Sequence, residues 1–301
     1  MLVQLGIRIF GSQRYSKIRL YKMKQVTFGA SVIGASHKLS GMECQDSYKK
    51  KELIDGTIIM AVADGHGSKS CPFSKTGSKI AVNTFCMVME EFYNRYKDNN
   101  EALIAYLNRE GDTKVAQTID YEWKRRVLKI HVKNKRDIPI SENGKKINEK
   151  IYMQYGSTLV GITISPTFLF ALQIGDGDLF YVNNNGVNHV LQAEKILGTE
   201  TRSLSSTDSW KNAIATLRRR DNSENFPSAF LMSTDGFANS HKNANEFRLT
   251  CKDYFETIKQ HGADAVKKNL KEWLLDTSEK GCGDDVTLLI SYFYHDSQQA
   301  E

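Results

Sequence analysis

Residues 157–191 read STLVGITISPTFLFALQIGDGDLFYVNNNGVNHVL, and this stretch decides the fold class. Apolar, β-branched and aromatic runs at 158–165, 167–174, 178–182 and 187–191 are separated by only a few turn-forming residues. Pro166 and Asn183-Asn184-Asn185-Gly186 mark two of the turns. Connections this short pair strands antiparallel, because a parallel neighbour needs a crossover of a dozen residues or more. The regular strand–helix alternation of a parallel nucleotide-binding sheet is missing.

Working outward, further strands are predicted at 26–33, 47–53, 57–63, 228–233 and 286–294. A loop is expected from Gly34 to Gly41. Helices are expected at 73–96, 101–107, 114–132, 246–260 and 263–277. In the first of these, Gly77, Ala81, Phe85, Val88 and Phe92 recur on one face. Residues 133–150 read as a polar loop, and 192–227 as an irregular polar segment with one helix over 208–220. These elements pack naturally as a β-sandwich covered by helices.

The chain has 301 residues, 40% of them hydrophobic, enough for a sizeable core. No run of about 18 apolar residues is present, so no membrane span is expected. Nor does the start have the form of a secretory signal. Five cysteines, Cys44, Cys71, Cys86, Cys251 and Cys282, lack any C-x-x-C pairing. Reduced thiols, mostly buried, in a cytoplasmic protein are expected. The net charge of +6 is accounted for by six bases and no acid within residues 1–24. That segment is read as a floppy basic extension ahead of one domain over 25–296. Eleven bases against five acids between Lys114 and Lys150 form a second charged stretch, either a solvated face or a patch that guides an anionic substrate.

Four short acidic motifs carry the chemistry: Cys44-Gln45-Asp46-Ser47, Asp64-Gly65-His66-Gly67, Ser233-Thr234-Asp235-Gly236 and Gly283-Asp284-Asp285-Val286-Thr287. The second and third follow apolar strands, and the fourth precedes the last one. Asp-Gly alone is commonplace turn punctuation. Carboxylates gathered at strand ends suit hard divalent cations. Asp64 can bridge two ions, Gly65 can offer its carbonyl, and His66 can protonate a leaving oxygen. Asp235 and an acid of the Asp284-Asp285 pair complete the set, which points to phosphate-ester cleavage.

With those motifs in order, and with Gly156-Ser157-Thr158 and Gly175-Asp176 between them, the chain resembles the metal-dependent protein phosphatase 2C family. Its bacterial branch is the nearest, through Ser36-His37, Gly41 and Cys44-Gln45-Asp46, and the resemblance covers 26–294. It implies an α+β fold: a four-layer α-β-β-α sandwich of two stacked antiparallel sheets flanked by helices. Also implied are a cytoplasmic, monomeric serine/threonine phosphatase and a flap at 192–227. Two Mn²⁺ or Mg²⁺ ions would be held by Asp64, the Gly65 carbonyl, Asp235 and Asp284. Asp176 would serve a weaker third ion. Asp46 would orient water, His66 would be the general acid, and a hydroxide between the metals would attack phosphorus of a phosphorylated protein substrate.

Three departures accompany the likeness. Gly41 stands where the family often has a phosphate-gripping Arg, which leaves His37 and Lys38 as the nearby cations. Gln45 replaces a Glu. Asn239 replaces an Asp that often serves the third metal. Arg202 and Arg218-Arg219-Arg220 are candidate contacts from the flap to a phosphoprotein. Two other readings are a phosphoprotein-binding regulator without turnover and a metal-dependent nuclease. No nucleic-acid motif accompanies the charge, so no nucleic-acid partner is expected.

Overall fold

Two antiparallel five-stranded sheets stack face to face in the computed structural model, which describes residues 24–96, 99–183, 186–191, 202–220 and 226–294. The basic extension before Lys24, and the flap positions 192–201 and 221–225, lie outside the described residues. The strands are β1 (Lys24–Val32), β2 (Ser47–Glu52), β3 (Ile58–Ala63), β4 (Leu159–Ile164), β5 (Phe168–Ile174), β6 (Asp178–Asn183), β7 (Gly186–His189), β8 (Ile214–Arg219), β9 (Ala229–Ser233) and β10 (Val286–Tyr294). The first sheet runs β1-β10-β9-β6-β7 and the second β2-β3-β4-β5-β8.

Helices cover both outer faces. The second sheet carries α2 (Ser74–Arg95), α3 (Asn100–Glu110), α4 (Ala116–Lys133) and the short α5 (Asn148–Met153). The first carries α6 (Asp235–Asn239), α7 (Ala244–His261) and α8 (Ala263–Lys280). A π-helical turn, Gly111–Val115, joins α3 to α4. This is the expected four-layer α-β-β-α arrangement.

Side-chain alternation along β3 shows why that strand is apolar throughout. Ile58, Met60 and Val62 enter the layer between the sheets, with Val160, Ile162, Phe230, Met232 and Leu289. Ile59, Ala61 and Ala63 face the helices, against Phe85, Met89 and Trp123. Both faces are dry, so the polar half of the usual strand alternation disappears. The predicted apolar face of α2 packs here, and the Trp123 indole N–H donates to the Gly77 carbonyl at 3.0 Å, pinning α4 to α2.

Two expectations fail. The segment Gly34–Gly41 holds a helix, α1 (Ala35–Ser40), closed by Gly41 at φ 70°. One and a half turns is too short for an apolar period to register, although a left-handed Gly is a standard helix stop. Residues 208–220 are not a helix. A 3₁₀ turn, Ser209–Asn212, leads into β8, which pairs antiparallel with β5 from Ile214↔Gln173 to Arg219↔Phe168. Pairing closes the otherwise open edge of β5, and Ala215 and Leu217 pack toward the helices. Tertiary pairing outweighs local propensity here. Residues 133–150 are mostly loop, closed by an Ile140↔Lys146 bridge, with α5 beginning at Asn148.

Candidate metal centre

The strand ladders bring all the acidic motifs to one end of the sandwich. Asp46 immediately precedes β2 and Asp64 follows β3, and these strands pair Ser47↔Ala63. Asp176 lies in the turn between β5 and β6. Asp235 opens α6 just beyond β9, while Asp284 sits just before β10, which pairs Leu288↔Ser233. The pairing does not stop where β3 ends. The Asp64 N–H donates to Thr158 Oγ1 and the Thr158 N–H donates to the Asp64 carbonyl, both at 2.9 Å. The His66 N–H donates to the Gly156 carbonyl at 3.2 Å. Asp64 is therefore aimed by a rigid ladder rather than a loose turn.

These carboxylates act on one another. Burial, then the charges of Asp46, Asp235, Asp284 and Asp176, hold the Asp64 carboxyl well above the usual range. Asp46 is pushed up to about 8 by burial and by Asp285 and Asp235, against the stabilising hydroxyls of Thr234 and Thr287. Asp235 reaches about 7 through burial, Asp176 and Asp284. No three His, Cys, Asp or Glu side chains among the described residues close into a ligand group around one point. The residues nonetheless fit a hard cation: every side-chain donor is oxygen, the acids repel one another, and the buried Asp46 Oδ1 has no hydrogen-bond partner.

A stability test follows from these shifts. With carboxyls held to about 8 and about 7, against 3.8 in the unfolded chain, the folded state binds more protons across that window. Stability must then fall as pH rises through it. Metal-free protein is expected to melt at a lower temperature at pH 8 than at pH 5, and added Mn²⁺ at pH 8 is expected to recover the loss. A flat melting temperature across the window would contradict the packed-carboxylate picture.

Asp46 is held from the middle of the first sheet. Its Oδ2 accepts from Thr234 Oγ1 at 2.6 Å and Thr287 Oγ1 at 2.7 Å, and the Thr287 N–H donates to Thr234 Oγ1 at 3.0 Å. Sequence reasoning quoted both threonines without giving them work. The available signal was a Ser or Thr flanking nearly every acidic motif. Asp285 differs from its neighbour Asp284. It is buried, accepting from the Gly34 N–H at 2.7 Å through Oδ1 and from the Gln45 N–H at 2.6 Å through Oδ2. Asp284 is 44% exposed and faces the other acids.

His66 packs on the backbone at Gly156, where a Cβ would lie 2.4 Å from the ring carbon Cδ2, so glycine alone permits the approach. Burial lowers the His66 pKa and Asp176 partly opposes this. The result is a stronger acid present in smaller fraction. The first turns of the flap are stitched to the same strand. Leu204 N–H donates to the Ser157 carbonyl at 2.9 Å, and Ser157 N–H to Ser203 Oγ at 3.2 Å.

The candidate phosphate cations part company. His37 lies against the acids, with Nδ1 3.0 Å from Asp285 Oδ1 and Nε2 3.8 Å from Asp284 Oδ1. Lys38 is exposed on α1. Gly41 has a left-handed backbone that a side chain adopts only with strain. Asn239 Nδ2 donates to Asp235 Oδ2 at 3.0 Å, so a neutral donor stands where a further carboxylate was looked for. Three of the four flap arginines are engaged within the chain. Arg219 forks onto Glu101 at 2.9 and 2.7 Å, Arg218 lies over Tyr181, and Arg220 over Phe226.

The model of one protein family, described as protein phosphatase 2C, matches residues 33–275. Solved structures share the fold at low identity. A C. elegans sex-determining protein is 16% identical with a TM-score of 0.56, over 89% of this chain and 64% of that one. A bacterial serine phosphatase is 13% identical with a TM-score of 0.54, over 91% and 99%. The catalytic domain of the serine threonine protein phosphatase PstP, in complex with two manganese ions, is 12% identical with a TM-score of 0.50, over 90% and 99%. No curated protein matches the chain.

Proposed function

The chain belongs to the protein phosphatase 2C family, and from that premise we propose that it hydrolyses phosphoserine and phosphothreonine in proteins with the help of two Mn²⁺ or Mg²⁺ ions. The observation that carries this reading is the gathering of acids at one end of the sandwich, where Asp46, Asp235, Asp284 and Asp176 all act on the buried Asp64. Asp64, the Gly65 carbonyl, Asp235 and Asp284 would hold the two ions, and Asp176 a weaker third. When bound, the ions would supply an acidified water and neutralise charge building on the phosphate.

The remaining work falls to this chain's own groups. Asp46, with Oδ2 already committed to Thr234 and Thr287, keeps Oδ1 to accept a hydrogen bond from water and orient it. His66 delivers a proton from its imidazole to the leaving serine or threonine oxygen, held in place by its packing on Gly156. His37 is the side chain best placed to meet phosphate, since it already borders Asp284, with Lys38 as an outer contact. The Asn239–Asp235 hydrogen bond favours two ions over three.

No helix among the described residues is long and apolar enough to cross a membrane. All five cysteines are free thiols, which fits a reducing compartment such as the cytoplasm; Cys86 and Cys251 are buried, and Cys282 is exposed. We read the protein as a monomer acting on phosphoproteins. The test is turnover of an aryl phosphate and a phosphoserine peptide with and without Mn²⁺. Metal-dependent release of phosphate from both supports the reading. Binding of the phosphopeptide with no release would leave a regulator without turnover. Cleavage of RNA or DNA alone would indicate a nuclease.

A further inference from the structure

A cavity of about 420 Å³ opens beside the candidate centre, lined by Phe73, Lys135, Arg136, Asp137, Ile138, Pro139 and Gln154. It belongs to no acidic motif. One wall is tied to the His66 segment, because the Phe73 N–H donates to the Gln154 carbonyl at 2.9 Å and the His66 N–H to the Gly156 carbonyl at 3.2 Å. Gln154 and Gly156 are two residues apart, so at most about 7 Å of chain separates these anchors. Cys71 Sγ adds a 3.0 Å contact to the Met153 carbonyl.

The other wall is built and positively charged. The Arg136 guanidinium lies 3.3 Å from the Phe73 ring centre and hydrogen-bonds the Tyr155 hydroxyl. The fully buried His131 fixes the same turn, with Nε2 2.9 Å from the Asp137 carbonyl. Lys135 is held at φ 54°, a conformation rare for a side-chain-bearing residue. Asp137 supplies the one carboxylate of the lining. In the same 133–150 segment, Lys133, Lys145, Lys146 and Lys150 are exposed, against Glu142 and Glu149. Arg218, Arg219 and Arg220 are spent on internal partners. By contrast, no ion pair among the described residues engages Lys133, Lys135, Lys145, Lys146 or Lys150.

We propose that this cavity is a docking site for an acidic side chain in the phosphoprotein substrate, a few residues from the phosphorylated one. Apolar Phe73, Ile138 and Pro139 receive the methylene stem; Lys135, which no ion pair among the described residues engages, meets the carboxylate with the remaining amide N–H of Gln154, while Arg136, committed to Phe73 and Tyr155, adds its charge to the wall. Charge complementarity selects this occupant: the segment 133–150 carries six bases against three acids, and the cavity's Gln154 is two residues from Gly156, on which His66 packs. This proposal rests on the phosphatase reading, yet its first test involves no turnover.

Binding of a fluorescent Glu-containing peptide with unmodified serine, and of its Gln counterpart, is measured by anisotropy on the full chain. The Glu peptide is expected to bind at least about threefold more tightly, as for a partly exposed ion pair. Lys135→Asn, which tolerates the left-handed backbone, is expected to erase the preference, and Lys135→Glu to invert it. Equal binding of both peptides to the unaltered chain, an unchanged preference in Lys135→Glu, or preferential retention of an RNA oligonucleotide would overturn the proposal. Phosphoserine peptides with Glu moved stepwise along the chain then locate the subsite through KM. Retained Glu preference without any phosphate release would support the docking site and sink the phosphatase reading alone.

Discussion

Asp64→Asn is expected to lower metal-dependent kcat/KM on an aryl phosphate by at least about 10³-fold, beyond the cost of losing a single oxyanion-hole donor. Asp64 is the acid that four others press upon, and the β3–β4 ladder leaves it no alternative orientation. On the proposed reading, losing its charge removes one of the acids that would hold the ions, so bound Mn²⁺ measured by mass spectrometry should fall too. The same change is expected to raise the melting temperature of metal-free protein at pH 8, because it removes a buried acid whose ionisation burial and four neighbouring acids oppose. Loss of function with gain of stability is the signature of a residue kept for chemistry. Turnover within tenfold of the unaltered chain, or a clear loss of stability, would count against the assigned role.

Asp285→Asn should show the opposite balance. Both oxygens of Asp285 accept from buried backbone N–H groups, of Gly34 and Gln45. An amide has one acceptor oxygen, so one N–H is stranded opposite an NH₂. An orphaned buried donor costs about 1–3 kcal/mol, and losing a charge-assisted bond adds to it. Relief of the repulsion between Asp285 and Asp46 offsets a part. A net loss of about 2 kcal/mol is expected, read as a lower urea midpoint at unchanged slope. Asp284→Asn, one residue away and 44% exposed, should leave the midpoint nearly in place and abolish turnover. If the two variants behave alike, the division of labour within the Asp-Asp pair is wrong.

That division shows what sequence can and cannot carry. β3 was legible because a strand buried on both faces is apolar throughout, β10 because its β-branched and aromatic run is broken only by small hydroxyls, and α2 because one face repeats with the helical period. The acidic motifs were legible as a set through their positions at strand ends. Adjacent residues entering a strand point to opposite sides, however, so the letters Asp284-Asp285 do not say which one faces the site. The same limit applies at Arg219, whose partner Glu101 lies 118 positions away. Its charge read as available for a phosphoprotein until the fold supplied the acid. β8 was misread because its stability comes from the edge of β5 rather than from its own composition. The threonines at 158, 234 and 287 carry ordinary letters and acquire a role only through the atoms they reach.

β10 sits between β1 and β9, joining the start of the described chain to its last third. Until β10 arrives, β1 has no neighbour in its own sheet, and Asp46 lacks one of the two hydroxyls that hold it. Contacts between residues this far apart form late, after the loop-closure cost has been met. A ribosome-bound nascent chain still lacking residues 284–294 would therefore carry Asp64 and His66 without a working centre. On the proposed reading, fragments from abortive synthesis or from proteolysis ahead of β10 lack Thr287 and are expected to release no phosphate from a phosphoprotein.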